Sequence, residues 1–184
     1  MRNQISPACI VYLYGHILTP SSRFGHKHVT SKKRLDPVKF RKIIKLAMLV
    51  DLYNTGAIDF KAHRRWLGGK QLIVNQLKQI EPFDVTLEKQ FATALNERGE
   101  LKLDFRINKV FSLGFEEKLW MDRFAEAMNR ELTAKGYLKE ENGEYAPVQE
   151  AINGLEAEVE PIKRQLEEFR IKNAGLVELL ENAL

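Results

Sequence analysis

The fold class this sequence predicts is mainly α: a single compact helical domain with short β-hairpins and a long C-terminal helix. Three observations carry that expectation. First, a Leu stands four residues before a Gly three times, with an aliphatic residue two places beyond the Gly: Leu52…Gly56…Ile58, Leu95…Gly99…Leu101 and Leu132…Gly136…Leu138, at spacings of 43 and 37 residues. Glycine reaches positive φ without a Cβ clash, so each copy reads as a helix closed by a left-handed Gly and followed at once by a short strand. Second, Asp36-Pro37 is a helix start. Asp accepts orphan backbone N–H groups, and Pro at the first helical position loses no hydrogen bond. Third, Leu155, Val159, Ile162, Leu166, Phe169, Asn173, Leu176 and Leu180 follow steps of four and three, a heptad seam.

The elements follow in order. Residues 5–18 carry Ile5, Ile10, Val11, Leu13, Tyr14, Ile17 and Leu18, and periodicity fits either a buried helix or a strand. Only Arg2 precedes the apolar stretch 8–14 and no small-residue cleavage site follows closely, which argues against a secretory leader. Residues 19–35, with Pro20, Ser21, Ser22, Gly25 and clustered charge, read as a loop. The helix opened by Asp36 runs on Val38, Ile43, Ile44, Ala47, Met48 and Leu52 to Gly56, and Ala57–Phe60 reads as a short strand. Residues 61–70 read as a basic, Gly-containing loop. A helix is expected next on Leu72, Ile73, Leu77 and Ile80, stopped by Pro82, and another over 85–97 on Leu87, Phe91, Ala94 and Leu95. Leu101, Leu103, Phe105 and Ile107 alternate as in a strand. A long helix from Phe115 to Lys135 uses Phe115, Leu119, Phe124, Met128 and Leu132. Asn142-Gly143 then marks a β-hairpin turn, because both turn residues need positive φ. Pro161 must begin or kink the tail helix. The organisation expected is a helical domain over 1–153 with a basic loop at about 19–35, and a heptad-patterned helix over 154–184.

At 184 residues and 44% apolar, the chain can fill one core. No apolar run approaches the roughly 20 residues of a membrane-spanning helix. The single Cys9 cannot close an intramolecular disulfide, which fits a reducing, cytoplasmic setting, and it reads as a small buried hydrophobe.

The net charge of +4 is unevenly spread. Residues 1–70 hold 14 Lys and Arg against 3 Asp and Glu, residues 71–139 hold 11 of each, and residues 140–184 hold 4 basic against 11 acidic. A basic front implies an anionic membrane surface, a nucleic acid or an acidic protein. The competing reading is that the front neutralises the acidic tail within one fold. If the loop folds back on the helix at Asp36, Arg34, Arg41 and Lys45 converge, with Lys32 and Lys33 beside them. A loop meeting a helix start can hold a phosphate group through side chains and free N–H groups together.

Other constellations carry less. His26 and His28 lie two apart, but no Cys, Asp or Glu is near in sequence, so they read as exposed loop histidines rather than metal ligands. Cys9 and His16 lack an orienting acid for nucleophilic catalysis. Gly68-Gly69-Lys70 lacks the spacing of a phosphate-binding loop. No cofactor and no enzymatic activity are expected.

The order of elements resembles the Golgi phosphoprotein 3 family. Ile5–Leu18 is similar to its first apolar helix. Leu49-Val-Asp-Leu52-Tyr-Asn-Thr-Gly56-Ala-Ile58 is similar to its helix-ending stretch, and Leu72–Ile80 and Leu87–Glu97 to the helices that follow. Glu131-Leu132-Thr-Ala-Lys135-Gly136-Tyr-Leu138 is similar to the helix end before its hairpin. The resemblance implies a non-enzymatic peripheral-membrane adaptor that binds phosphoinositide head groups. One basic site of the family falls on Lys45. Its Trp falls near Asp36, and two of its arginines fall on Ala125 and Ala127.

Two rival readings belong to other classes. One is a structural or assembly subunit whose heptad tail docks a partner helix or a second copy. The other is a winged-helix nucleic-acid binder with Phe115–Lys135 as recognition helix and the following hairpin as wing. Glu140, Glu141 and Glu144 on that wing disfavour a phosphate backbone. The expected location is cytoplasmic, peripheral on a membrane where the basic region engages one.

Overall fold

Ser6 and Asp36 open the first two helices with their own side chains. The computed structural model describes residues 5–64, 70–80, 86–103 and 120–184. Helix α1 (Pro7–Leu18) begins where Ser6 Oγ accepts the Cys9 N–H at 3.3 Å. Helix α2 (Pro37–Asn54) begins where Asp36 Oδ1 accepts the N–H groups of Val38 and Lys39 at 3.0 and 3.1 Å. Residues 43–50 of α2 are buried without exception, so this helix is the axis of the core rather than an amphipathic surface helix. Helix α1 packs along it. Gly15 permits that approach, since a Cβ there would stand 2.1 Å from the Phe40 ring. The Tyr12 ring stacks on Phe40, and its hydroxyl donates to Asn129 Oδ1 at 2.9 Å.

The Gly-capped units form as read. Gly56, Gly99 and Gly136 have φ of 65°, 72° and 79°. At Gly56 the Ala57 N–H returns to the Leu52 carbonyl at 2.8 Å, and at Gly136 the Tyr137 N–H returns to Leu132 at 2.9 Å. These are the bonds that close a helix through a left-handed residue. Leu52, Leu95 and Leu132 are all buried, as are Ile58, Leu101 and Leu138 beyond each Gly.

The mainly α expectation is corrected. Among the described residues 57% are helical and 23% lie in strands, an α/β mixture. Residues 19–35 are not a loop. Strand β1 (Ser21–Lys27) pairs antiparallel with β2 (Arg34–Leu35). The helix expected over 72–80 is instead strand β4 (Lys70–Gln76), lying between β3 (Ile58–Arg64) and β5 (Glu100–Leu103) in an antiparallel sheet. Leu72 and Val74 are buried while Ile73 and Asn75 are only partly so, the alternation of a strand with one face on the core. Leu72 pairs with Ala62 on one side and Leu103 on the other. Strand β3 is also longer than expected and takes in part of the anticipated basic loop; residues 65–69 of that loop lie outside the described residues.

Helix α3 (Thr86–Arg98) buries Phe91, Ala92 and Leu95. The long helix is described from Trp120 to Ala134 as α4, with Phe124, Met128 and Leu132 buried. Its expected start at Phe115, with Leu119, and the strand residues Phe105 and Ile107 lie outside the described residues, as does Pro82. Strands β6 (Leu138–Glu141) and β7 (Glu144–Pro147) form the expected hairpin, with Asn142 at φ 54° and Gly143 at φ 77°.

The tail is not one long helix. It divides into α5 (Gln149–Asn153), a 3-10 turn (Glu156–Glu158), α6 (Val159–Lys172) and α7 (Ala174–Ala183). Pro161 sits in the first turn of α6, where its missing N–H costs nothing. Asn173 breaks the seam at φ −128°, ψ 39°. The seam packs in cis: Val159, Ile162, Leu166 and Phe169 are buried, α6 lies on α1 and α2, and α7 lies on β4. The Phe169 ring meets Tyr53 edge-on at 5.3 Å.

Candidate functional site

The basic front of the chain is displayed on the β1–β2 ribbon, and its shape follows from one irregularity. Ser21 and His26 both face Leu35, so residues 22–25 form a bulge. A bulge bends a strand and re-aims its side chains. Gly25 is obligatory there, because a Cβ would lie 1.9 Å from the Leu35 carbonyl oxygen. The bulge turns Arg23 and Phe24 outward. Phe24 is 86% exposed, with the Arg23 guanidinium 5.5 Å from its ring centre. Lys27, Lys32, Lys33 and Arg34 on the same ribbon are exposed as well. Arg34 Nη1 donates to the Gly25 carbonyl at 3.3 Å, which steadies the bulge.

The ribbon is held to the body at two places. At its turn, His28 is buried at 1% exposure, with Nε2 2.8 Å from the Tyr12 carbonyl and Nδ1 3.0 Å from Ser31 Oγ. Thr30 Oγ1 donates to the Leu13 carbonyl at 2.6 Å. Burial pulls the His28 imidazole down to about 4, with His16 and His26 adding to the fall and the Tyr12 carbonyl opposing it. His28 is therefore not the exposed loop histidine expected from the sequence. At its flank, Lys32 Nζ donates to the Tyr145 carbonyl at 3.1 Å and Lys27 Nζ lies 3.8 Å from Glu144. The basic front thus meets the acidic β6–β7 hairpin within the fold, and Lys42 Nζ donates to the Glu181 carbonyl of the tail.

The expected convergence of Arg34, Arg41 and Lys45 is not on the surface. Lys32, Lys33 and Arg34 are exposed, Arg41 is partly buried, and Lys45 is buried at 1% exposure. Position 45 falls on the helix that fills the core, so the i, i+4 relation to Arg41 carries it inward. Sequence reasoning missed Phe24. Its signal was an aromatic residue among Arg23, Gly25, His26 and Lys27 with no apolar neighbour to pack on.

A second polar cluster lies inside. Glu88 of α3 is 3% exposed, and burial pushes its carboxyl up to about 8, with Asp51 and Glu131 raising it further against Ser6 and Lys135. Burial pushes the nearby Cys9 thiol up to about 12. No group of three or more His, Cys, Asp or Glu among the described residues is placed to hold a metal ion.

No protein-family model, curated protein or solved structure matches this chain. The site is therefore read from its own residues, and the likeness to the Golgi phosphoprotein 3 family stands as an expectation. No helix among the described residues is long and apolar enough to cross a membrane.

Proposed function

We propose that this chain is a non-enzymatic peripheral-membrane or adaptor protein that meets an anionic lipid surface, of the phosphoinositide type, through the β1–β2 ribbon. The observation that carries the reading is the exposure of Phe24 among Arg23, Lys27, Lys32, Lys33 and Arg34. Basic side chains near an anionic leaflet contribute about 1 kcal/mol each. An exposed apolar ring among them gains by burying its surface at the headgroup–acyl boundary. With Lys45 in the core, attraction comes from a field of exposed cations rather than from a three-cation pocket. Burial keeps the Cys9 thiol protonated at neutral pH, which speaks against a cysteine nucleophile.

Flotation with vesicles of phosphatidylcholine alone, with phosphatidylserine, and with phosphatidylinositol phosphate, at low and high salt, tests this. Binding to both anionic vesicles that weakens with salt supports the field. Each Lys or Arg to Ala change on the ribbon then weakens binding by a similar step. No binding at low salt overturns the reading. Salt-sensitive binding to duplex DNA without vesicle binding moves the ribbon to the nucleic-acid class. Burial of Val159, Ile162, Leu166 and Phe169 within the chain favours this reading over the assembly subunit, whose seam was expected to dock a partner.

A further inference from the structure

We propose that His28 is an acid-sensitive pin: its neutral imidazole holds the β1–β2 turn against α1, and protonation frees the ribbon that carries the candidate anionic-surface site. The pin is a property of the fold. Its consequence for membranes rests on the function proposed above.

The Tyr12 carbonyl can only accept, so His28 Nε2, 2.8 Å away, carries the ring hydrogen. Nδ1 is then the lone-pair atom, and it accepts from the Ser31 backbone N–H at 3.3 Å. The Ser31 hydroxyl lies 3.0 Å and the Thr30 hydroxyl 3.3 Å from the same nitrogen. Thr30 spends its hydrogen on the Leu13 carbonyl. One imidazole thus joins α1 to both the backbone and the side chains of the turn. The turn closes further through the His28 N–H to the Lys33 carbonyl at 2.8 Å and the Lys32 N–H to the His28 carbonyl at 3.0 Å.

A proton added at Nδ1 turns this acceptor into a donor facing a donor. The Ser31 hydroxyl can rotate to receive it; the Ser31 amide cannot. The surroundings do not favour the cation. From α1 the His16 ring lies 5.2 Å away, from β1 His26 acts on it with the same sign, and from α2 the Phe40 ring lies 5.6 Å away at 76°. Lys33 and Glu156 act on His16 with opposite signs. Burial places the folded pKa near 4 against an ordinary 6.5. Opening of the turn therefore becomes easier as pH falls below 6.5, by about 30-fold at pH 5. Release at acid pH also adds charge to a ribbon that is already basic, so its grip on an anionic bilayer strengthens.

Hydrogen exchange, corrected for intrinsic rates, tests the pin on the full chain. The His28 and Lys32 amides should lose about 30-fold in protection between pH 7.5 and pH 5. His28→Gln keeps a neutral donor and acceptor and should abolish the difference. Should that variant misfold, His16→Gln leaves the pin in place but removes a ring that lowers the His28 pKa, so the loss of protection should level off at a higher pH and be smaller than in the unmodified chain. Unchanged protection of the His28 and Lys32 amides at pH 5 overturns the proposal, as does an unchanged pH dependence in His28→Gln. Flotation with phosphatidylserine vesicles should rise from pH 7.5 to pH 5 in the unmodified chain and less in His28→Gln. Absence of vesicle binding at both pH values overturns the membrane function, while hydrogen exchange still decides the pin.

Discussion

The Lys32 ammonium donates to the carbonyl of Tyr145 at 3.1 Å, joining residues 113 apart in sequence. With Lys27 beside Glu144, this ties the basic ribbon to the acidic hairpin. Both contacts are exposed, so they orient the ribbon without contributing much to stability. Lys32→Ala should change thermal stability by less than about 0.5 kcal/mol, while weakening attachment to anionic vesicles. A large loss of stability would show that the hairpin contact is structural.

Gly56 and Gly136 serve conformation and not space. Nothing lies within 4 Å of a Cβ built on either, yet φ is 65° and 79°. Replacement of either by Ala should cost roughly 1 kcal/mol from strain at positive φ. Chemical denaturation of the two variants measures this, and unchanged midpoints would contradict the caps.

The tail seam should behave as core. Phe169→Ala removes a buried ring packed on Tyr53 and Phe60 and should cost about 3–5 kcal/mol. Ile171→Ala, two residues on, alters a side chain that is 80% exposed and should be near neutral. Equal effects at the two positions in a denaturation series would mean that α6 is not docked as described.

Glu88 and His28 give opposite pH dependences. Glu88 has a raised folded pKa, about 8 against 4.5, so the native state holds a proton that the unfolded state releases. Its contribution is fully present below about 4.5 and is lost as pH rises to about 8. Glu88→Gln should therefore raise stability at pH 8 relative to pH 5, by roughly 1–3 kcal/mol. His28 has a lowered folded pKa, so its contribution is present above 6.5 and is lost as pH falls towards 4. Thermal melts of the unmodified chain and Glu88→Gln from pH 4 to pH 9 separate the two, and parallel curves would refute the buried-proton account.

Local chemistry was legible in the sequence. The caps at Asp36 and the three glycines, the Asn142-Gly143 turn and the burial of Cys9 each depend on backbone preferences or on the character of a single side chain. The heptad seam was legible too, because its apolar spacing specifies a face whatever covers that face. What covers it was a tertiary decision: α1 and α2 of the same chain present the complementary surface. The Leu72–Ile80 run was misread as a helix, because Leu72, Ile73, Leu77 and Ile80 fit a helix face by spacing alone. Pairing with β3 and β5, which the run cannot specify alone, made it the middle strand. Tertiary structure likewise carried Lys45 and His28 inward and left Phe24 outside. Each of these depends on where an element sits against its neighbours: burial belongs to the assembled fold, and periodicity reports only which residues share a face.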